Sequence, residues 1–416
     1  MKSHLLLAET QGASLEGTLV IEQFLMDNYR FRRNILNGKV EYAILSKAKQ
    51  SADDLSNASI IEENLDYRPL TQAALNSIVI RAKREQVLKK GSPKAEISEY
   101  VSSEEDPEYN PVQAFLKKLP EWDGQNHIVM VLNRIPGLNS ELQYYLTIWL
   151  RSAVAHWLQM DMLHGNECVP TLIGSQGCGK TTFVRRLLPV CLREYYLDHL
   201  NLNNKFDKEM TLTNNLFVNL DELDAIPLSQ QSSLKQTLSV SKVNGRPIFG
   251  RTQEDRPRFA SFVATTNNRH PLKDVTGSRR YICILIPDDQ LIDNSGDIDY
   301  SQLYAQVVFE LNGLRAPYWF HNDEVTRIQQ LNQNFMEQKD ITEMICACFR
   351  QPGKVEPSKS MNGDQLIAVI QGEYPTLTNT PGTKVKLGKA MNALGYESKS
   401  HSNIPFYQVI PLKESA

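Results

Sequence analysis

Cysteine is scarce in this chain and not arranged for chemistry. Six cysteines are scattered through 416 residues with no C-x-x-C pair, so neither a zinc site nor a disulfide framework is expected. Cys346 and Cys348 lie one residue apart on a segment that reads as a helix, where they would serve packing. No apolar run approaches membrane-spanning length, and Leu5-Leu6-Leu7-Ala8 is too short for a signal-peptide core. These absences point to a reducing cytoplasm. Internal repeats are also lacking. Hydrophobic residues make up 41% and charged residues 22% of the 416, a balance that allows sizeable cores in two or three domains. The net charge of −3 is small but uneven. Between Lys235 and Arg280 stand ten basic residues against three acidic ones, a concentration that suits a polyanion such as ATP or a nucleic-acid strand.

What is present in strength is one motif. Gly174-Ser175-Gln176-Gly177-Cys178-Gly179-Lys180-Thr181 fits G-x-x-x-x-G-K-[ST], the phosphate-binding P-loop. Backbone N–H groups of such a turn, with the N-terminus of the next helix, cradle nucleotide phosphates. Gly174 through Thr182 are therefore the expected ATP-binding residues. Lys180 would reach the β- and γ-phosphates, and the Thr181 hydroxyl would hold Mg²⁺. The context agrees: an apolar run over 167–173 reads as a strand, Thr182 to Leu188 has helical spacing, and Pro189 stops it. The competing reading is a glycine-rich turn that binds nothing. Oxidation or alkylation of Cys178, inside the loop, would be expected to block nucleotide binding.

Three further elements follow in order. Leu216-Phe217-Val218-Asn219-Leu220-Asp221-Glu222 is an apolar strand ending in two acids. Asp221 would hold Mg²⁺ and Glu222 would polarise the attacking water. Phe262 to Asn268 is a second apolar strand, ending in Asn267, suited to sense the γ-phosphate; otherwise it is an Asn-rich turn. Arg279-Arg280 precedes the strand Tyr281 to Ile286 and suits an arginine finger acting on a neighbouring subunit, with surface charge as the alternative. The pair leaves open which arginine acts. Between Glu222 and Phe262, a hairpin carrying Lys242, Arg246, Phe249 and Arg251 could grip single-stranded DNA, or its charges could serve the nucleotide site or a subunit boundary. Lys235, on the helix after the second motif, could belong to the ATP site.

The chain therefore reads as α/β, with a P-loop NTPase core. Its parts are an N-terminal α+β region, mainly helical, over 1–105; a helical lead-in over 106–165; the ATPase core over 166–290; a helical region over 291–350; and a small winged-helix-like domain over 359–416. The acidic stretch 102–106 reads as loose, and Trp122 as the anchor of a turn at 120–124. A long amphipathic helix is expected from Glu141 to Leu163, and a polar connector from Asp288 to Asp299. In the last domain, helices over 363–372 and 383–394, stopped by Gly395, precede a hairpin of 396–399 with 406–410. Lys384, Lys386 and Lys389 on its second helix would touch DNA, or form the solvated face of a packing domain.

Taken together these residues resemble the virulence-associated protein E family. The likeness rests on Asn110-Pro111, Leu119-Pro120-Glu121-Trp122-Asp123-Gly124, the P-loop, Asn219 to Asp224, Thr265-Thr266-Asn267 and Asp274 to Arg280. It covers about 105–290. The resemblance implies an AAA+-like core akin to superfamily-three helicases and poxvirus-type primase-helicases, using ATP and Mg²⁺. It also implies a role in replicating phage, plasmid or genomic-island DNA, as a hexameric ring on single-stranded DNA or a replication fork. Relatives often carry a primase, and residues 1–105 show no primase-like acidic motif, so priming would come from a separate chain. Arg30-Phe31-Arg32-Arg33-Asn34 could touch DNA but reads slightly better as an amphipathic helix end. The second reading of the whole is a DNA- or partner-binding switch whose assembly ATP controls without translocation. A small-molecule kinase is disfavoured, because no acceptor-substrate motif accompanies the P-loop.

Overall fold

The computed structural model describes residues 16–45, 65–160, 164–245, 253–274, 277–337, 340–353, 356–375, 377–401 and 404–412. The chain divides into two compact units, Met1–Asn267 with Arg280–Val325 and Asn268–Arg279 with Thr326–Ala416.

In the first unit, helix α1 (16–28) runs directly into β1 (Tyr29–Asn34). β1 pairs antiparallel with β2 (Val40–Ile44), which carries β3 (Arg68–Pro69), and β4 (Glu108–Tyr109) lies parallel on its other edge. Two helices follow in this region, α2 (Gln72–Arg84), capped by the Thr71 side chain, and α3 (Lys94–Tyr100). Ile21, Phe24, Leu25, Phe31, Ile78 and Ile97 form the shared core. The helix end expected at Arg30–Asn34 is instead strand, because the alternation turns Tyr29 and Phe31 inward. The arginines are used internally. The Arg32 guanidinium lies 3.8 Å and 3.4 Å from the ring centres of Tyr67 and Tyr109 and pairs with Glu41 at 2.6 Å; Arg33 donates to the Ser103 carbonyl. The acidic stretch is not wholly loose either, since Asp106 is buried.

Next come α4 (Pro111–Lys117), with Asn110 as N-cap and Pro111 in the first turn, and α5 (His127–Leu132). Trp122 anchors the turn between them, donating to the Gln125 carbonyl and packing on Phe309. α6 (Ser140–Trp157) is shorter than expected and stops before a left-handed Gln159. Its Trp149 and Trp157 pack on Phe217.

Phe217 belongs to the central sheet. β5 (Val169–Ile173), β6 (Tyr196–Leu197), β7 (Phe217–Asp221), β10 (Ser261–Thr266) and β11 (Tyr281–Leu285) lie in the order β11-β5-β10-β7-β6. All are parallel. β5 and β10 are buried along their whole length, as continuous apolar runs covered on both faces should be. The helices α7 (Lys180–Arg186), α8 (Lys205–Asn214), α9 (Leu228–Ser239) and α10 (Tyr300–Asn312) complete this part. β8 (Lys242–Gly245) and β9 (Glu254–Pro257) form an antiparallel hairpin beside it.

The basic concentration seen in the sequence is only partly surface. Arg258 is 1% exposed and donates to the carbonyls of Ala260, Leu238, Val240 and Asn166. Burial draws its pKa down to about 10, so it remains charged at neutral pH and satisfied by backbone.

In the second unit, α11 (Ile341–Cys348), α12 (Gly363–Glu373) and α13 (Pro381–Ala393) pack on a sheet centred on β15 (Ile404–Pro411). β15 pairs antiparallel with β12 (Phe349–Arg350), β13 (Lys359–Asn362) and β14 (Ser398–His401). Asn362 and Gln365 make a capping box, and Gly395 adopts φ 78° after the last helix. The expected order of helix, helix and hairpin is present; β13 is an additional strand. Lys384, Lys386 and Lys389 are exposed on α13, with Lys384 paired to Asp364. Cys348 is buried but Cys346 is exposed, so only one of the two packs inward.

Candidate nucleotide site

The site forms where β5 turns into α7. Gly177 and Gly179 hold φ of 82° and 92°, a left-handed backbone that favours glycine. Gly174 sits tightly: a Cβ there would lie 3.0 Å from Ile286 and 3.2 Å from Cys178 Sγ. The turn brings Lys180 back over its own loop. The ammonium donates to the carbonyls of Gly174 (2.8 Å) and Ser175 (2.9 Å) and to Asn267 Oδ1 (2.9 Å), with Cys178 Sγ at 3.7 Å. Lys180 is 7% exposed, and these four partners are neutral.

β10 lies between β5 and β7, so its end carries Asn267 to Lys180 on one side and meets Asp221 on the other. Glu222 follows with φ 51° and ψ 53°, left-handed although it is not glycine. A cavity of about 320 Å³ results. Gln176, Gly177, Gly179, Lys180, Thr181 and Thr182 line one side, and Asp221, Glu222, Thr266 and Asn267 line the rest. Ser175 and Gly174 contribute carbonyls to Lys180 instead. Cys178 is 1% exposed, so the expected vulnerability to oxidation or alkylation meets a shielded thiol.

The two arginines part company. Arg280 is tied to Glu167 at 3.3 Å and to Ser239 Oγ at 3.2 Å, at the start of β11. Arg279 is exposed and belongs to the other compact unit. Lys235 is half-buried on α9. Lys242 is exposed on β8 and pairs with Asp255 at 2.6 Å. Arg246, Phe249 and Arg251 lie outside the described residues.

Two features escaped the sequence reading. The segment 288–299 is more than a connector. Ile292 N–H donates to the Cys178 carbonyl and Asn294 Nδ2 to that of Gly179, so it clasps the loop from outside. Arg134 and Arg186 hold it in turn through the carbonyls of Ser295, Asp297 and Gly296. The other is a polar relay in the sheet: Thr265 bonds both Asn219 and Asp221, and Thr266 bonds Asp224. Period-two alternation was the available signal, since it puts Asn219 and Asp221 on one face of β7, opposite Thr265.

The virulence-associated protein E-like domain matches residues 116–337, more than half of the chain. The chain belongs to this family. The matched range contains the whole cavity lining and both arginines, and ends before α11. No curated protein matches the chain. Among solved structures, the apo C-terminal region of NrS-1 is similar with 12% identity and a TM-score of 0.42, covering 95% of this chain and 99% of that one. A structure described as the active helicase Cch of SCCmec type IV is similar with 10% identity and a TM-score of 0.34, covering 91% and 92%. Among the described residues no helix is long and apolar enough to cross a membrane.

Proposed function

We propose that this virulence-associated protein E-like chain is a P-loop, AAA+-type ATPase that acts as a DNA helicase for a phage, plasmid or genomic island. The observation that carries the reading is Lys180: a nearly buried ammonium resting on four neutral groups, in a cavity that also holds Thr181, Asp221, Glu222 and Asn267. A buried cation satisfied only by dipoles has strong affinity for an anion. These residues fit a nucleoside triphosphate with Mg²⁺. Left-handed Gly177 and Gly179 allow backbone N–H groups to face phosphate oxygens, and Thr181 and Asp221 supply the oxygens that magnesium prefers. When bound, the nucleotide supplies the phosphoryl group whose hydrolysis drives movement. Asn267 accepts from Lys180 and would keep it in line; Glu222 would orient and deprotonate the attacking water, and Asp221 with Thr181 would hold the metal.

Arg279 is exposed and is assigned to the finger that completes a neighbour's site, in a homo-oligomeric ring expected to be a hexamer. Arg280, tied to Glu167, steadies the start of β11. Lys242 on β8, together with Arg246, Phe249 and Arg251 of the sequence that follows, is assigned to single-stranded DNA. The second unit is assigned to winged-helix-like DNA contact through Lys384, Lys386 and Lys389. Replacing Lys242 and Arg246 together by Ala is expected to abolish unwinding of a forked duplex while leaving DNA-free ATPase activity within about twofold; Lys242 is not among the residues that line the nucleotide cavity. Unwinding at the parent rate would reject the hairpin assignment and favour an ATP-controlled binding switch.

A further inference from the structure

Thr265 and Thr266 stand at the end of β10, 1% and 2% exposed. Each buried hydroxyl donates to a carboxylate of the acid turn. Thr265 Oγ1 donates to Asp221 Oδ1 at 2.5 Å and accepts from Asn219 Nδ2 at 3.1 Å. Asn219 is itself fully buried. The register makes this pairing direct, since Thr265 faces Asp221 and Val263 faces Asn219 across β10 and β7. Adjacent strand residues point to opposite faces, and Thr266 accordingly takes a different acid, donating to Asp224 Oδ1 at 2.5 Å. Asp224 lies in the short 3₁₀ turn Leu223–Ala225, whose N-cap is the left-handed Glu222. Two consecutive hydroxyls therefore hold the acids on either side of Glu222. A non-glycine residue persists in that backbone region only when its surroundings over-determine it.

We propose that Thr265 and Thr266 are positioning residues for the acid pair Asp221–Glu222. Thr265, backed by Asn219, fixes the rotation of the Asp221 carboxylate. Thr266 fixes the turn that keeps Glu222 at the cavity. The inference rests on the nucleotide reading above and adds that metal demand is set from inside the sheet.

The test titrates Mg²⁺ into the full chain with a fluorescent ATP analogue and follows binding. Thr265→Val keeps the shape and removes the hydroxyl. It is expected to raise the Mg²⁺ concentration for half-maximal binding about tenfold, as loss of a support behind a metal ligand does, with metal-free affinity unchanged within about twofold. Thr265→Ser is expected to restore the parent demand. Thr265→Ala gives the same readout should the valine variant fail to fold. Thr266 also lines the cavity, so for Thr266→Val the expectation is a kcat about tenfold lower at unchanged Mg²⁺ demand, rescued by Thr266→Ser. A Thr265→Val protein with parental Mg²⁺ demand, or one whose metal-free binding weakens equally, overturns the assignment of Thr265. A Thr266→Val protein with parental kcat overturns that of Thr266. Lys180→Ala separates the two levels. If it binds nucleotide as tightly as the parent, the site reading fails and the inference falls with it; if it does not, a negative threonine result concerns the threonines alone.

Discussion

Glu222 illustrates how much rests on single residues. A left-handed backbone costs a non-glycine residue about 1–2 kcal/mol, and the turn maintains it at φ 51°. Glu222→Gly is therefore expected to be more stable to urea than Glu222→Ala by about 1 kcal/mol, while both lose turnover. Equal stability would show that the turn relaxes on substitution. Asp106 offers a test by pH. Burial raises its pKa from 3.8 to about 6, and Glu105 adds to the rise while Arg33 opposes it. The folded chain thus holds this proton more tightly than the unfolded chain. The stability contributed by the group is complete below the unfolded value and is lost as pH rises from about 4 to about 6. Asp106→Asn, which carries no charge, is expected to melt above the parent at about pH 7.5 and together with it near about pH 4. A parent that gains stability across that window relative to the variant would contradict the buried-carboxyl account.

Among elements, the segment 288–299 makes the strongest structural claim. Gly179 has φ 92°, and a Cβ there would lie 2.5 Å from Asn294 Nδ2. Gly179→Ala is expected to cost about 1–2 kcal/mol from the backbone alone and to weaken nucleotide binding. Adding Asn294→Ala is expected to recover part of the stability, because it removes the clash and leaves the backbone penalty; strictly additive losses in denaturant unfolding would show that the two residues are uncoupled. Elements also mark what could be read from the sequence. Apolar runs ended by glycine (β5), acid (β7), asparagine (β10) and proline (β11) were legible as strands, and a parallel sheet aligns such ends along one edge, so Lys180, Asp221, Glu222 and Asn267 line one cavity. In the second unit Gly395 marked the stop of the last helix, but its start was misplaced: it begins at Pro381, capped by the Thr380 side chain, two residues before the expected 383. Three features were hidden for a common reason. Arg30–Asn34, Arg258 and 288–299 look polar and solvated, yet their partners are distant backbone carbonyls or aromatic rings that no local pattern names.

On the scale of the whole molecule, the family match covers residues 116–337, a range that contains the candidate nucleotide site. The account assigns the finger to Arg279, which is exposed and belongs to a different compact unit from Lys180. Sites completed by a neighbour should make activity depend on assembly. The most direct test is the ATPase rate per subunit against protein concentration, with and without single-stranded DNA, beside Lys180→Ala. The account predicts a rate that rises with concentration and rises further with DNA, with Lys180→Ala inactive throughout. A rate that is flat in concentration and indifferent to DNA would contradict the ring motor.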